Sequence, residues 1–232
     1  MSQASLTLPS LDPSSLTSGR SSPHLTAADS PKIDDLAKAL AAAFNKRPLK
    51  TTPTQVLAVL TASKRRIKNP KNWRKRALAT LDIPGIGFSK LPNEIYDDFG
   101  LYFFEGSTDG FLMVPKELDK DLCMCAYGAV ARTVCVDRRS LAAGEAAVLV
   151  AGLSSLFTKR QPFNQGDTVL LDYLEAPSFD LKQLLYRVVY HMNDYEGTSH
   201  NDVLYIYNLA IAAVKKYIKN LKETSNAAPS AL

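Results

Sequence analysis

The chain has 232 residues, 46% of them hydrophobic, and a formal net charge of +5. That is enough for one packed core, and no apolar run approaches the ~20 residues that a membrane-spanning helix needs. The first residues lack the basic-then-apolar order of a signal peptide, and three closely spaced cysteines, Cys123, Cys125 and Cys135, point to reduced thiols in a cytoplasmic setting rather than a disulfide framework.

Residues 1–30 are half Ser, Thr or Pro and show no hydrophobic period, so a disordered tail is expected there. Ser30-Pro31 then opens a helix, with Ser30 as its cap and Pro31 in its first turn. Ile33, Leu36, Ala37, Leu40, Ala43 and Phe44 share one face of it. Thr52-Pro53 starts a second helix by the same logic. Val56, Leu57, Leu60, Ser63 and Ile67 form its inner face, and Asn69-Pro70 stops it. Trp73, Ala77 and Leu78 predict a short helix folded back on the second, with Trp73 as its buried anchor. Residues 64–76 hold eight basic residues and no acid: Lys64, Arg65, Arg66, Lys68, Lys71, Arg74, Lys75 and Arg76. Without them the chain would be net negative, so the basicity is local and does not imply a basic surface everywhere.

Pro84, Gly85, Gly87, Pro92 and Gly100 deny long helices to residues 82–120. There the stretches 101–105 and 110–114, joined by a glycine-bounded loop, read as a β-hairpin insertion. Leu122 to Val136 reads as a compact helix of small residues. Leu141 to Phe157 is apolar nearly all round, which predicts a central buried helix. Residues 158–180 read as irregular. Leu181, Leu184, Leu185, Val188, Val189 and Met192 then line one face of a further helix. The polar turn after it, Asn193 to Thr198, is rich in residues that bond their own backbone or tolerate positive φ. Ser199 caps the last helix, and Asp202 can complete a capping box with it. Val203, Leu204, Tyr207, Ala210, Ile211, Val214, Ile218 and Leu221 form the apolar face of that helix. Lys215, Lys216, Lys219 and Lys222 near its end suit the helix dipole. Residues 223–232 read as a frayed end.

Three of these pieces match one pattern. Ile67-Lys-Asn-Pro-Lys-Asn-Trp73-Arg-Lys-Arg-Ala77-Leu-Ala has a Trp three residues after a Pro, then Ala-Leu-Ala. Cys125-Ala-Tyr-Gly-Ala-Val-Ala-Arg132 is a small-residue helix. Asn193-Asp-Tyr-Glu-Gly-Thr-Ser-His200-Asn-Asp-Val-Leu is the turn and helix start. In order and spacing the chain resembles the domain-of-unknown-function family 6197 of small bacterial and phage proteins, discontinuously over residues 54–220. Asn69 stands where the family usually has Asp, and Arg76 where it has Gly. Both changes raise the positive charge of the first piece. Residues 82–121 and much of 138–180 exceed the family's expected length. The resemblance implies no catalytic residue.

Three chemistries can be weighed on these residues. Cys125 near a helix start could be a nucleophile, with His200 as base and Asp194 as its orienter. Against this, a free Cys among small residues is usually packed in a core. Cys123, Cys125, His191 and His200 could hold zinc, but Cys-x-Cys on a helix points its thiols about 200° apart, and zinc pairs normally have wider spacing. No metal or cofactor is therefore expected. Lys64, Arg65, Arg66, Arg74 and Lys75 could meet phosphates, with Trp73 able to stack on a base. The competing reading is a solvated helix face around a core tryptophan.

The expected protein is mainly α: a single-domain bundle of about five or six helices over residues 31–222, with a hairpin insertion at 82–120. The expected role is a non-enzymatic intracellular binding or accessory protein whose partner is a nucleic acid or a protein, not a membrane. The alternative is a small thiol-dependent enzyme using Cys125, His200 and Asp194.

Overall fold

The computed structural model describes residues 23–46, 51–75, 79–83, 87–90, 122–156, 158 and 190–227. Five α-helices dominate these residues: α1 (Ser30–Lys46), α2 (Pro53–Arg66), α3 (Ala126–Val136), α4 (Leu141–Leu156) and α5 (His200–Ala227). Three short strands join them: β1 (Ala79–Ile83), β2 (Gly87–Lys90) and β3 (Leu122–Met124). The strands form an antiparallel sheet in the order β2-β1-β3. In its register Thr80 faces Lys90 on one side and Cys123 on the other. The protein is mainly α, a helical bundle with a small sheet at its side.

The helix starts obey their capping chemistry. Thr52 Oγ1 accepts from the Gln55 N–H, Gln55 Oε1 accepts from the Thr52 N–H at 3.0 Å, and Pro53 fills the first turn of α2. Ser199 and Asp202 do the same for α5. The Asp202 N–H donates to Ser199 Oγ at 3.2 Å, and the Ser199 N–H donates to Asp202 Oδ2 at 2.9 Å. At its far end α3 stops with Arg138 at φ 49, and the Arg139 N–H donates back to the Val134 carbonyl. That is a Schellman-type closure, built without the glycine that usually occupies its left-handed position.

α4 lies at the centre, packed against α1, α2, α3 and α5. Its Ala143, Ala146, Ala147, Val148, Val150, Ala151 and Leu153 are buried, as its all-round apolar sequence requires. Its buried hydroxyls are satisfied locally: Ser154 donates to the Val150 carbonyl and Ser155 to the Gly152 carbonyl. α5 packs against α1, α2 and α4. It therefore buries Ile206, Leu209, Ala213 and Tyr217 in addition to the face read from its period. Phe44 of α1 stacks on Tyr217 with ring centroids 5.6 Å apart.

Several expectations are corrected. Residues 122–124 are strand, and the helix expected from Leu122 begins only at Ala126; a three-residue apolar stretch carries no period that separates the two. The short helix expected after Pro70 is a single 3-10 turn, Pro70–Asn72. Trp73 then bridges to Met124, and the chain continues into β1, so the sheet holds the segment down instead of a helix face. The tail expected over 1–30 overlaps a docked segment. The Thr26 N–H donates to Asp29 Oδ2, a 3-10 turn at Ala27–Asp29 leads into α1, and Ser30 is already helical. α5 also continues past the expected end at 222, to Ala227, with residues 221–226 exposed. The expected hairpin at 101–114, the helix over 181–189 and the irregular stretch 159–180 lie outside the described residues.

Candidate functional site

The three sequence motifs meet at one side chain. Asn193 lies in a π-helical turn, Tyr190–Asp194, and is completely buried. Its Oδ1 accepts from Trp73 Nε1–H at 2.7 Å and from the Ala126 N–H at 3.0 Å. Its Nδ2 donates to the Arg74 carbonyl at 2.9 Å and to Asp194 Oδ1 at 2.6 Å. A carboxamide offers two acceptor positions and two donors, so Asn193 is saturated. The Ala126 carbonyl in turn accepts from the buried Tyr207 hydroxyl at 2.8 Å. One residue thus ties the Pro70–Trp73 segment, the start of α3 and the approach to α5.

The candidate nucleophile, base and orienter all lie beside this hub, in roles other than a relay. Cys125 is the N-cap of α3, fully buried, with Sγ accepting from the Gly128 N–H at 3.2 Å. A helix start favours thiolate, but burial outweighs it and pushes the thiol up to about 12, with the nearby Asp194 charge acting in the same direction. His200 Nε2 lies 2.7 Å from the Ile67 carbonyl. A carbonyl only accepts, so Nε2 carries the proton and caps the end of α2. The His200 ring tilts against Trp73, with centroids 5.4 Å apart. Asp194 accepts from Asn193 and so orients the amide. Among the described residues no hydrogen bond joins Cys125 to His200.

Cys123 stands on β3 and donates to the Lys71 carbonyl, apart from the capping position of Cys125. Trp73 is half-buried rather than enclosed. It packs on the core edge, with the Lys75 ammonium 5.9 Å from its ring centre.

The basic run divides three ways. Arg66 turns inward: its Nη2 meets Asp137 at 3.0 Å and its Nε–H donates to Thr133 Oγ1, which also accepts from Ser63. Lys75 Nζ donates to the Tyr195 and Glu196 carbonyls and so clamps the turn before α5. The Arg74 carbonyl belongs to the hub, and Lys71 is exposed. Lys64, Arg65 and Lys68 form the third group. They line a groove of about 560 Å³ between α2 and α5, joined by Lys215 of α5 and roofed on one side by Pro23, His24 and Leu25. Burial, then the charges of Lys68 and Lys215, lower the pKa of Lys64. Among the described residues none of these four cations pairs with a carboxylate. Arg76 lies outside the described residues.

Sequence reasoning missed Lys215 as a partner of the run, because only tertiary packing brings α5 to α2. It also missed the segment 23–29 as a wall. Asn208 holds that wall by donating from Nδ2 to the Pro23 carbonyl at 2.6 Å. The buried Asp29 accepts from Tyr205 at 2.6 Å and pairs with Lys32 at 3.2 Å. The signal available was Thr26 followed three residues later by Asp29, a capping pattern inside an otherwise featureless stretch.

No helix of the described residues is long and apolar enough to cross a membrane. Among the same residues no group of three His, Cys, Asp or Glu side chains is placed to hold a metal ion. No curated protein and no solved structure matches the chain. A family model matches residues 51–213, a span that contains the Asn193 hub with all three motifs but neither His24 nor Lys215 of the groove, and on that match the chain belongs to the family of unknown function DUF6197.

Proposed function

We propose that this chain is a non-enzymatic binding protein that takes nucleic acid against the basic groove between α2 and α5. The observation that carries this reading is the set of cations that have no carboxylate partner among the described residues, Lys64, Arg65, Lys68 and Lys215, around a groove of about 560 Å³. Neighbouring lysines are treated differently. Lys216 pairs with Asp34 at 3.2 Å, Lys219 with Glu223 at 3.6 Å, and Lys32 with Asp29. Cations crowded in a concave surface focus positive potential and attract phosphates. The three free cysteines, two of them buried, fit a reducing intracellular compartment.

The test is fluorescence anisotropy with a labelled single-stranded oligonucleotide over a salt series. Binding should weaken steeply as salt rises, because counterion release drives it. Arg65→Gln with Lys68→Gln should weaken binding and flatten the salt slope, with the far-UV circular dichroism unchanged. Absence of binding at low salt removes this reading.

A further inference from the structure

The groove is more than a charged surface. On α2, Thr61, Lys64 and Arg65 line the groove, with Lys68 just past the end of that helix, and on α5, Asn208, Ile211, Ala212 and Lys215 recur at helical spacing on one face. The α5 stripe places an amide, two apolar side chains and an ammonium side by side. Leu25 and Pro23 add apolar surface from the N-terminal wall. The cavity therefore offers an apolar strip next to a cluster of ammonium groups. Its volume of about 560 Å³ falls in the range of roughly 300–1,000 Å³ typical of small-molecule sites.

A flat basic face made for a polymer backbone needs neither a concave wall nor an apolar strip. Inorganic phosphate alone would leave the strip uncovered, and a nucleoside alone would leave the ammonium groups unpaired. A ligand that satisfies both halves carries an apolar face and a phosphate close together, as a nucleotide does with its ring and its phosphate.

We propose that the α2–α5 groove is a binding site for one nucleoside phosphate, with the phosphate among Lys64, Lys68 and Lys215 and the ring against Leu25, Ile211 and Ala212. The unit is either free or part of a strand, and the chemistry recognised is the same. This rests on the reading of the groove as a phosphate site and adds that the ring is read too. The mutual repulsion of Lys64, Lys68 and Lys215 supports it, because one bound phosphate relieves all three. The wall at Pro23–Leu25 has its own anchors, Asn208 on the Pro23 carbonyl and Tyr205 on Asp29. Those anchors hold the strip in place before a ligand arrives.

Isothermal titration calorimetry of the full chain with adenosine monophosphate, adenosine and inorganic phosphate tests this. Adenosine monophosphate should bind at one site, on the order of tenfold or more tighter than either part alone. Lys215→Gln, at an exposed position, should weaken adenosine monophosphate and phosphate alike, by on the order of tenfold. Ala212→Leu, which fills the strip, should weaken adenosine monophosphate while leaving phosphate unchanged; a thermal melt monitors its fold. A short oligoadenylate that binds no tighter than adenosine monophosphate assigns the free nucleotide as the ligand, and one that binds much tighter and is competed by the nucleotide assigns a strand. If phosphate binds as tightly as adenosine monophosphate, the ring is not read. The inference is then overturned while nucleic-acid binding through charge survives. If neither the nucleotide nor any oligonucleotide binds at low salt, both readings fall.

Discussion

At Asn193 each polar position of the side chain has a partner within the protein. Across the α2–α5 groove, Lys64, Arg65, Lys68 and Lys215 have no carboxylate among the described residues. Each region includes residues that the sequence marks as candidates for chemistry: Trp73 and Asp194 at the first, Lys64 and Arg65 at the second. A buried polar group that is fully bonded stabilises the fold and offers nothing to a ligand. A cluster of like charges without counter-charges is mildly destabilising, and binding an anion offsets the repulsion. Of the motif residues, Trp73, Cys125, Asn193 and His200 gather at the first region, while Lys68 of the first motif lines the groove.

The sharpest way to break this contrast is to empty the hub. Asn193→Ala leaves the Trp73 Nε1–H, the Ala126 N–H and the Arg74 carbonyl without their shared partner. It should destabilise the protein by on the order of 4 kcal/mol, several buried groups at about 1–3 kcal/mol each with partial relief by water. Urea denaturation measures this. A loss under about 1 kcal/mol would mean that the hub is not a stabilising centre.

The second test runs along the basic sequence itself. Arg66→Gln breaks the half-buried pair with Asp137 and the bond to Thr133, and should cost about 2 kcal/mol with little change in anion affinity. Arg65→Gln, one residue earlier and exposed, should do the reverse. Equal effects from the two on both readouts would erase the distinction between structural and ligand-facing cations.

Two smaller effects sharpen the picture at the edges. Ser199→Ala removes half of the capping box at α5 and should lower stability by on the order of 1 kcal/mol. An unchanged unfolding midpoint would show that Asp202 alone suffices. The segment 23–29 gives a pH signature. The Thr26 N–H, then the Tyr205 hydroxyl and Lys32, hold Asp29 at about 2, below its ordinary value of 3.8. A depressed carboxylate stabilises the fold above its unfolded pKa and loses that contribution as pH falls through the folded one. Stability should therefore drop between about pH 4 and pH 2, by on the order of 1 kcal/mol after solvent screening. Asp29→Asn should abolish that part of the acid transition, read by denaturant titration at each pH. A truncated chain starting at Ser30 should be less stable for the same reason, although composition alone marks residues 1–30 as dispensable.

Helix starts at Thr52 and Ser199, the all-round burial of α4 and the inner face of α2 were legible because capping and periodicity are local. Asn193 looks like a turn former in sequence, and it does sit in a turn. Its partners Trp73 and Ala126 are 120 and 67 residues away, and no local pattern encodes that distance. In sequence Arg66 groups with the phosphate-facing cations; the signal that separates it is its place three residues after Ser63, beside the inner face of α2. Trp73 misled because it reads equally as a helix anchor or as a strand-edge residue, and the adjacent β3 decides between them. The groove was half legible, since Lys64, Arg65 and Lys68 lie within five residues of one another while Lys215 and the Pro23–Leu25 wall come from distant parts of the chain.

The π-helical turn at Tyr190–Asp194 has a consequence for which mutations the family can accept. A π turn accommodates one residue more than the α-helical path it replaces. Deleting a single residue there would rotate the residues after it by about 100° relative to those before. Asn193 would swing away from Trp73 and Ala126, although its identity and its neighbours in sequence were intact. A one-residue deletion in this turn should therefore be tolerated less well than most side-chain substitutions in it.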